Sequence, residues 1–119
     1  MTSWLVDGMN VVGSRPDGWW RDRDGAVRRL VAELREFAER TGDEIVVVFD
    51  GRPVPLEEDP APVDVRFASR SGRDAADDDI AKLATADPGL TVVTSDAALA
   101  ARVENDVVGA GAFRARLGR

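Results

Sequence analysis

The chain has no cysteine and no histidine. Without cysteine it builds no disulfide framework, no thiolate nucleophile and no cysteine zinc site. Without histidine it has no Ser-His-Asp triad, no imidazole general base and no imidazole metal ligand. No apolar run approaches the roughly 18–20 residues of a membrane span, and the N-terminus lacks a basic stretch followed by a long apolar one. No membrane contact is therefore expected, and a soluble, cytoplasmic protein is. Lysine is almost missing: Lys82 stands alone among the 16 basic residues, and 22 acidic residues outnumber them, for a net charge of −6. Such a balance argues against coating a polyanion by bulk charge. It leaves room for a nucleic-acid enzyme, because acids gathered to bind a metal also count as negative charge.

What is present suits one domain with one core: 119 residues, 44% of them hydrophobic, with no internal repeat. The whole chain, 1–119, is read as that single domain. Ser3 to Val6 is a short apolar run ending in Asp7-Gly8, and a Gly- and Arg-rich loop follows from Gly13 to about Arg23. From Asp24 to Arg40, Val27, Leu30, Val31, Leu34, Phe37 and Ala38 recur at helical spacing, with Gly42 as a stop. Ile45 to Phe49 is an uninterrupted β-branched run of the kind that suits a strand buried on both faces. Prolines 53, 55, 60 and 62 make 51–62 a loop, and Val63 to Phe67 alternates like an edge strand. A helix over about 74–86, a strand over 90–93 and a helix over about 96–103, capped by Thr94 or Ser95, follow. Val107-Val108 and a terminal helix complete the pattern. Strands alternating with helices at these spacings predict an α/β fold with a mainly parallel sheet sandwiched by helices.

Three of the apolar runs end alike: Trp4-Leu5-Val6-Asp7, Val46-Val47-Val48-Phe49-Asp50 and Val92-Val93-Thr94-Ser95-Asp96. In a parallel sheet the carboxyl ends of the strands share one edge, where ligands bind. An aspartate after a single strand is most often a turn residue or a cap; three on the longest runs point to a shared site. A fourth acid comes from Ala75-Ala76-Asp77-Asp78-Asp79-Ile80. At about 100° per residue, Asp77 lies roughly 60° from Ile80, at the edge of the apolar stripe, and Asp78 roughly 160° away. Asp77 is thus the preferred site acid, with Asp78 as the alternative. Clustered carboxylates repel one another, and a hard divalent cation relieves the conflict. All-oxygen ligation favours Mg²⁺ or Mn²⁺ over Zn²⁺, and such an ion supports phosphodiester hydrolysis without a histidine base.

At these residues the sequence resembles the YacP-like branch of the NYN domain, within the PIN-like nucleases. Asp7-Gly8-Met9-Asn10-Val11-Val12-Gly13, Val48-Phe49-Asp50-Gly51, Ala76-Asp77-Asp78-Asp79-Ile80 and Val93-Thr94-Ser95-Asp96 occur in that family's order and approximate spacing. The resemblance runs from Trp4 to the C-terminal helix; Met9 stands where the family often carries an aromatic residue. It implies a PIN-like sheet and a metal-dependent ribonuclease, an RNA endonuclease. It places Asp7, Asp50, Asp77 and Asp96 at the metal, with Asn10 positioning the first loop and Ser95 as an auxiliary polar group.

For RNA itself, Arg66, Arg70 and Arg73 occupy a stretch without an intervening acid that suits phosphate contacts. Trp19-Trp20 offers rings for stacking on an unpaired base, Trp19 being taken as the contact. So little basic surface predicts weak binding of naked RNA, and hence a partner that supplies positive charge, a ribosome or another protein; a homodimer is left open. Two rival functions remain at this level. One is a non-catalytic RNA-binding scaffold of the same fold, and the other a small-molecule phosphohydrolase using the same acids.

Overall fold

Side chains alternate across a strand, and here both faces are apolar. Trp4, Val6, Ile45, Val47, Phe49 and Val93 point to one side of the sheet; Leu5, Val46, Val48 and Val92 point to the other. A sheet of this kind must be covered twice, and the chain supplies helices for both faces. A computed structural model describes residues 1–69, 72 and 74–118. Its elements are β1 (Ser3–Asp7), α1 (Gly8–Gly13), α2 (Arg23–Thr41), β2 (Glu44–Phe49), β3 (Asp64–Phe67), α3 (Ala75–Ala86), β4 (Thr91–Val93), α4 (Ala97–Ala100), β5 (Val107–Val108) and α5 (Ala110–Leu117), with a 3-10 turn at Trp19–Arg21. The strands form one sheet in the order β3-β2-β1-β4-β5, every pair parallel. Helices α1, α2 and α5 cover the first face, and α3 and α4 the second.

The expected α/β sandwich is what forms, and β3 is indeed an edge strand. Gly42, at φ 76°, ends α2 as its αL cap. Two local expectations change. Residues 8–13, given no element in the sequence, form α1. Two glycines and two valines make a poor helix, so this one is held from outside. Val11 and Val12 are buried in the core, and Arg114 of α5 donates from Nε and Nη2 to the Val11 carbonyl at 3.3 and 3.0 Å. The helix after β4 is shorter than 96–103 and is capped by Asp96 rather than Thr94 or Ser95. The Thr94 hydroxyl donates inward to Asp7 and accepts from the Asp96 amide, just short of the helix, whereas Asp96 Oδ1 accepts from the Ala98 and Leu99 amides within it.

Aromatic packing lies towards the amino edge of the sheet, where Trp4 meets Phe113 and Phe37 at centroid separations of 5.0 and 6.4 Å. At the opposite edge β1 turns directly into α1, and Gly8 makes that turn sterically feasible. A Cβ built on Gly8 would overlap the Phe49 ring, itself fully buried in β2. Gly8→Ala is accordingly expected to lower stability by roughly 1–3 kcal/mol, the usual range for overpacking a core. An unchanged urea midpoint would show that Phe49 moves aside freely.

Candidate active site

The strand order places β1 between β2 and β4, so the chain runs from β1 out to β2 and β3 on one side and then crosses back to β4 and β5 on the other. The carboxyl edge at such a switch is where open α/β sheets bind ligands. Asp7 is the last residue of β1, Asp50 follows β2, and Thr94-Ser95-Asp96 follow β4. Among the described residues, Asp7 and Thr94 are the only buried polar or charged ones, at 6% and 2% exposure.

A chain of hydrogen bonds joins these ends. Thr94 Oγ1 donates to Asp7 Oδ2 at 2.9 Å and accepts from the Asp96 amide at 3.1 Å. Asn10 Oδ1 accepts from the Ser95 amide at 2.8 Å. Asn10, expected to position the first loop, sits in α1 and bonds across to the segment after β4. The Ser95 hydroxyl accepts from the Ala110 amide at 2.8 Å, which ties it to the start of α5. Asp50 Oδ1 accepts from the Ala76 amide at 3.0 Å and draws the first turn of α3, with Asp77, to this edge. Asp96 Oδ1 accepts from the Ala98 and Leu99 amides at 2.9 and 3.3 Å and caps α4.

The three neighbouring acids of α3 separate by their partners. Asp78 pairs with Arg102 at 2.9 Å. Asp79 accepts from the amide and hydroxyl of Ser69 at 2.7 and 2.8 Å. Asp77 accepts no hydrogen bond among the described residues and faces the other site acids. Its carboxyl is held above the usual range by burial first, then by the charges of Asp96, Asp74 and Asp50, against a weaker pull from Arg102. Asp7 is pushed up to about 6, chiefly by burial; the Thr94 hydroxyl offsets part of this, and Asp77 and Asp50 add to it. At Asp7 and Asp77 the negative charge of neighbouring acids outweighs the positive charge nearby.

No group of three or more acidic side chains among the described residues is arranged, as it stands, to enclose a metal ion. The donor set nevertheless fits a hard divalent cation in chemistry and charge. It is all carboxylate oxygen, and Asp50 and Asp96 each commit only Oδ1 to a protein donor. The excess negative charge on Asp7 and Asp77 is what a cation would relieve.

Of the proposed RNA contacts, Arg66 and Trp19 lie among the described residues. Arg66 is on the edge strand and pairs with Asp64, Nη2 to Oδ2 at 2.9 Å, so it is not the unopposed cation its segment suggests. Residues i and i+2 share a strand face, which brings this acid to it. Arg70 and Arg73 lie outside the described residues. Trp19 packs half-buried against the core, and Trp20 is the ring left in solvent.

Two residues at this edge were missed in the sequence. Thr94 carries a signal, a hydroxyl between a strand and a site acid, that reads equally well as a helix cap. Arg23 carries none: from the start of α2 its Nη2 donates to the Asp50 carbonyl, and both Nη atoms approach the Arg52 carbonyl at 3.4 Å. No helix among the described residues is long and apolar enough to cross a membrane.

The YacP-like NYN domain model matches residues 4–116. Two crystal structures of Rae1 (YacP) from Bacillus subtilis share this fold, one of them carrying a tryptophan-to-leucine substitution. The substituted form has a TM-score of 0.81 and the other 0.78, each at 25% identity. Each alignment covers 99% of this chain, with 76% of the substituted chain and 74% of the other. No curated protein sequence matches. The chain belongs to the YacP-like NYN domain family, a family of nuclease-type domains that act on RNA.

Proposed function

We propose that the protein is a divalent-metal-dependent RNA endonuclease in which Asp7, Asp50, Asp77 and Asp96 hold Mg²⁺ or Mn²⁺. The observation that carries this reading is the buried Asp7, kept at a strand end beside other acids at a cost to the fold. A scaffold that only bound RNA would have no use for that cost, and RNA would be repelled by it. When bound, the ion would lower the pKa of water and neutralise charge on the phosphoryl oxygens.

The chain's own residues orient the ligands. Thr94 fixes the Asp7 carboxylate, the Ala76 amide fixes Asp50, and the first turn of α4 fixes Asp96. Each of these bonds pre-orients its carboxylate, so little reorganisation is needed as the phosphorane-like transition state develops. Asp77, without such a bond, is the ligand with most freedom to follow the substrate. Asn10 locks α1 to the segment after β4 and holds Asp7 and Asp96 in mutual register.

Water attacks phosphorus in line, the bond to the 3′-oxygen breaks, and the water proton ends on that oxygen. The products are a 5′-phosphate and a 3′-hydroxyl. End-group analysis of cleaved RNA is expected to show these ends. A 2′,3′-cyclic phosphate would instead mean attack by the RNA's own 2′-hydroxyl, a route that needs none of these acids. Release of phosphate from nucleotides, with RNA left intact, would favour a phosphohydrolase.

A further inference from the structure

Trp20 is 63% exposed, and it is the one exposed aromatic side chain among the described residues. An indole in water loses the burial that normally pays for its size, so its placement calls for an explanation. It is not loosely held. Gly18, at φ 74°, turns the chain into the 3-10 turn Trp19–Arg21. Trp19 packs beneath, against the core, and meets Trp20 edge-on at a centroid separation of 6.2 Å and an interplanar angle of 86°. The Arg21 guanidinium sits 5.8 Å from the Trp20 ring centroid and has no carboxylate partner among the described residues.

The position of this pair matters as much as its exposure. Three residues on, Arg23 is fastened through Nη2 to the carbonyl of the site residue Asp50. At 3.8 Å between successive Cα atoms, Trp20 and Arg23 lie within about 11 Å along the chain. A solvent-facing indole backed by Trp19, with an uncommitted guanidinium beside it, therefore lies in the short stretch of chain that leads into the Arg23 contact with Asp50.

We propose that Trp20 is a base-stacking subsite and that the substrate is an unpaired RNA strand. A nucleotide near the scissile phosphate stacks on the indole, and Arg21 meets a neighbouring phosphate. In a duplex both faces of each base are already stacked, so only splayed or single-stranded nucleotides engage such a ring. Stacking of this kind tolerates any base, which predicts a preference for strandedness over sequence. The inference rests on the nuclease reading above and names its substrate class.

Trp20→Ala and Trp20→Phe test it, because removing an exposed ring leaves the core intact. The probes are a labelled single-stranded RNA and the same sequence closed into a hairpin stem, bound at low salt in chelator and then cut with Mn²⁺. Trp20→Ala is expected to weaken single-strand binding by roughly 5- to 150-fold and to raise KM with kcat little changed. Trp20→Phe should restore most of the loss, and the stem should be insensitive to either change. RNA-induced quenching of indole fluorescence should disappear in both variants. Wild-type cleavage with an unchanged KM in Trp20→Ala would overturn this inference alone and leave the ring to a protein contact. A wild type that neither binds nor cuts any RNA would overturn the nuclease reading, and this inference with it.

Discussion

Asp7→Asn is expected to abolish RNA cleavage and, in chelator at neutral pH, to make the protein more stable. The second effect follows from the buried carboxyl. Its pKa rises from the usual 3.8 to about 6 on folding, mainly through burial. The folded protein therefore binds this proton more tightly than the unfolded chain does, and the linkage penalises folding as pH rises. The penalty is absent below about 3.8, grows between there and about 6, and is complete above. At 1.36 kcal/mol per unit, it amounts to roughly 3 kcal/mol. Asparagine keeps an oxygen for the Thr94 hydroxyl and carries no charge, so the penalty is removed and the hydrogen bond stays. Melts at about pH 7.5 should show a gain on the order of 10 °C for a domain of this size. Near pH 4 the gain should vanish. Equal differences at both pH values would contradict the assignment, since a pure packing effect has no such pH dependence. Trading stability for a charged group at one point is what catalytic sites characteristically do.

Asp96→Asn is expected to lower turnover by on the order of 10³-fold, the scale of losing several kcal/mol of charge stabilisation, with the melting temperature almost unchanged. The contrast with Asp7 comes from exposure and from the cap. Asp96 is half-buried, and its Oδ1 accepts from the Ala98 and Leu99 amides. Asparagine caps a helix about as well as aspartate, so α4 survives and only the charge is lost. Asp96→Ala would remove the cap as well, at about 1 kcal/mol, and would confuse folding with chemistry. A variant Asp96→Asn that cuts normally would remove Asp96 from the site.

The acids were legible because a parallel sheet collects its strand ends. Asp7, Asp50 and Asp96 each follow an apolar run, and once the runs pair in parallel their ends share an edge. Ile45 to Phe49 was readable for the related reason that a strand buried on both faces needs no polar residue. Helical phase separates Asp77 from Asp78 in the sequence, and in the structure Asp78 is the one that pairs with Arg102.

What escaped the sequence depended on distant residues. Helix α1 has weak propensity of its own and exists because Arg114, about a hundred residues away, satisfies the Val11 carbonyl. The Thr94 hydroxyl reaches across 87 residues to Asp7, and the amides of the first turn of α4 fall to Asp96. Two adjacent tryptophans look alike in sequence; only the left-handed turn at Gly18 decides that Trp19 enters the core and Trp20 does not. Arg66 seemed unopposed because its segment held no acid, whereas strand geometry pairs it with Asp64 just before that segment.

The most direct test is cleavage of 5′-labelled single-stranded and hairpin RNA by the purified protein with Mn²⁺, with Mg²⁺ and with chelator, beside Asp96→Asn. A metal-dependent carboxylate nuclease predicts cutting with either ion, none in chelator, and loss in the variant. Cutting that persists in chelator, or that Asp96→Asn leaves intact, would contradict it.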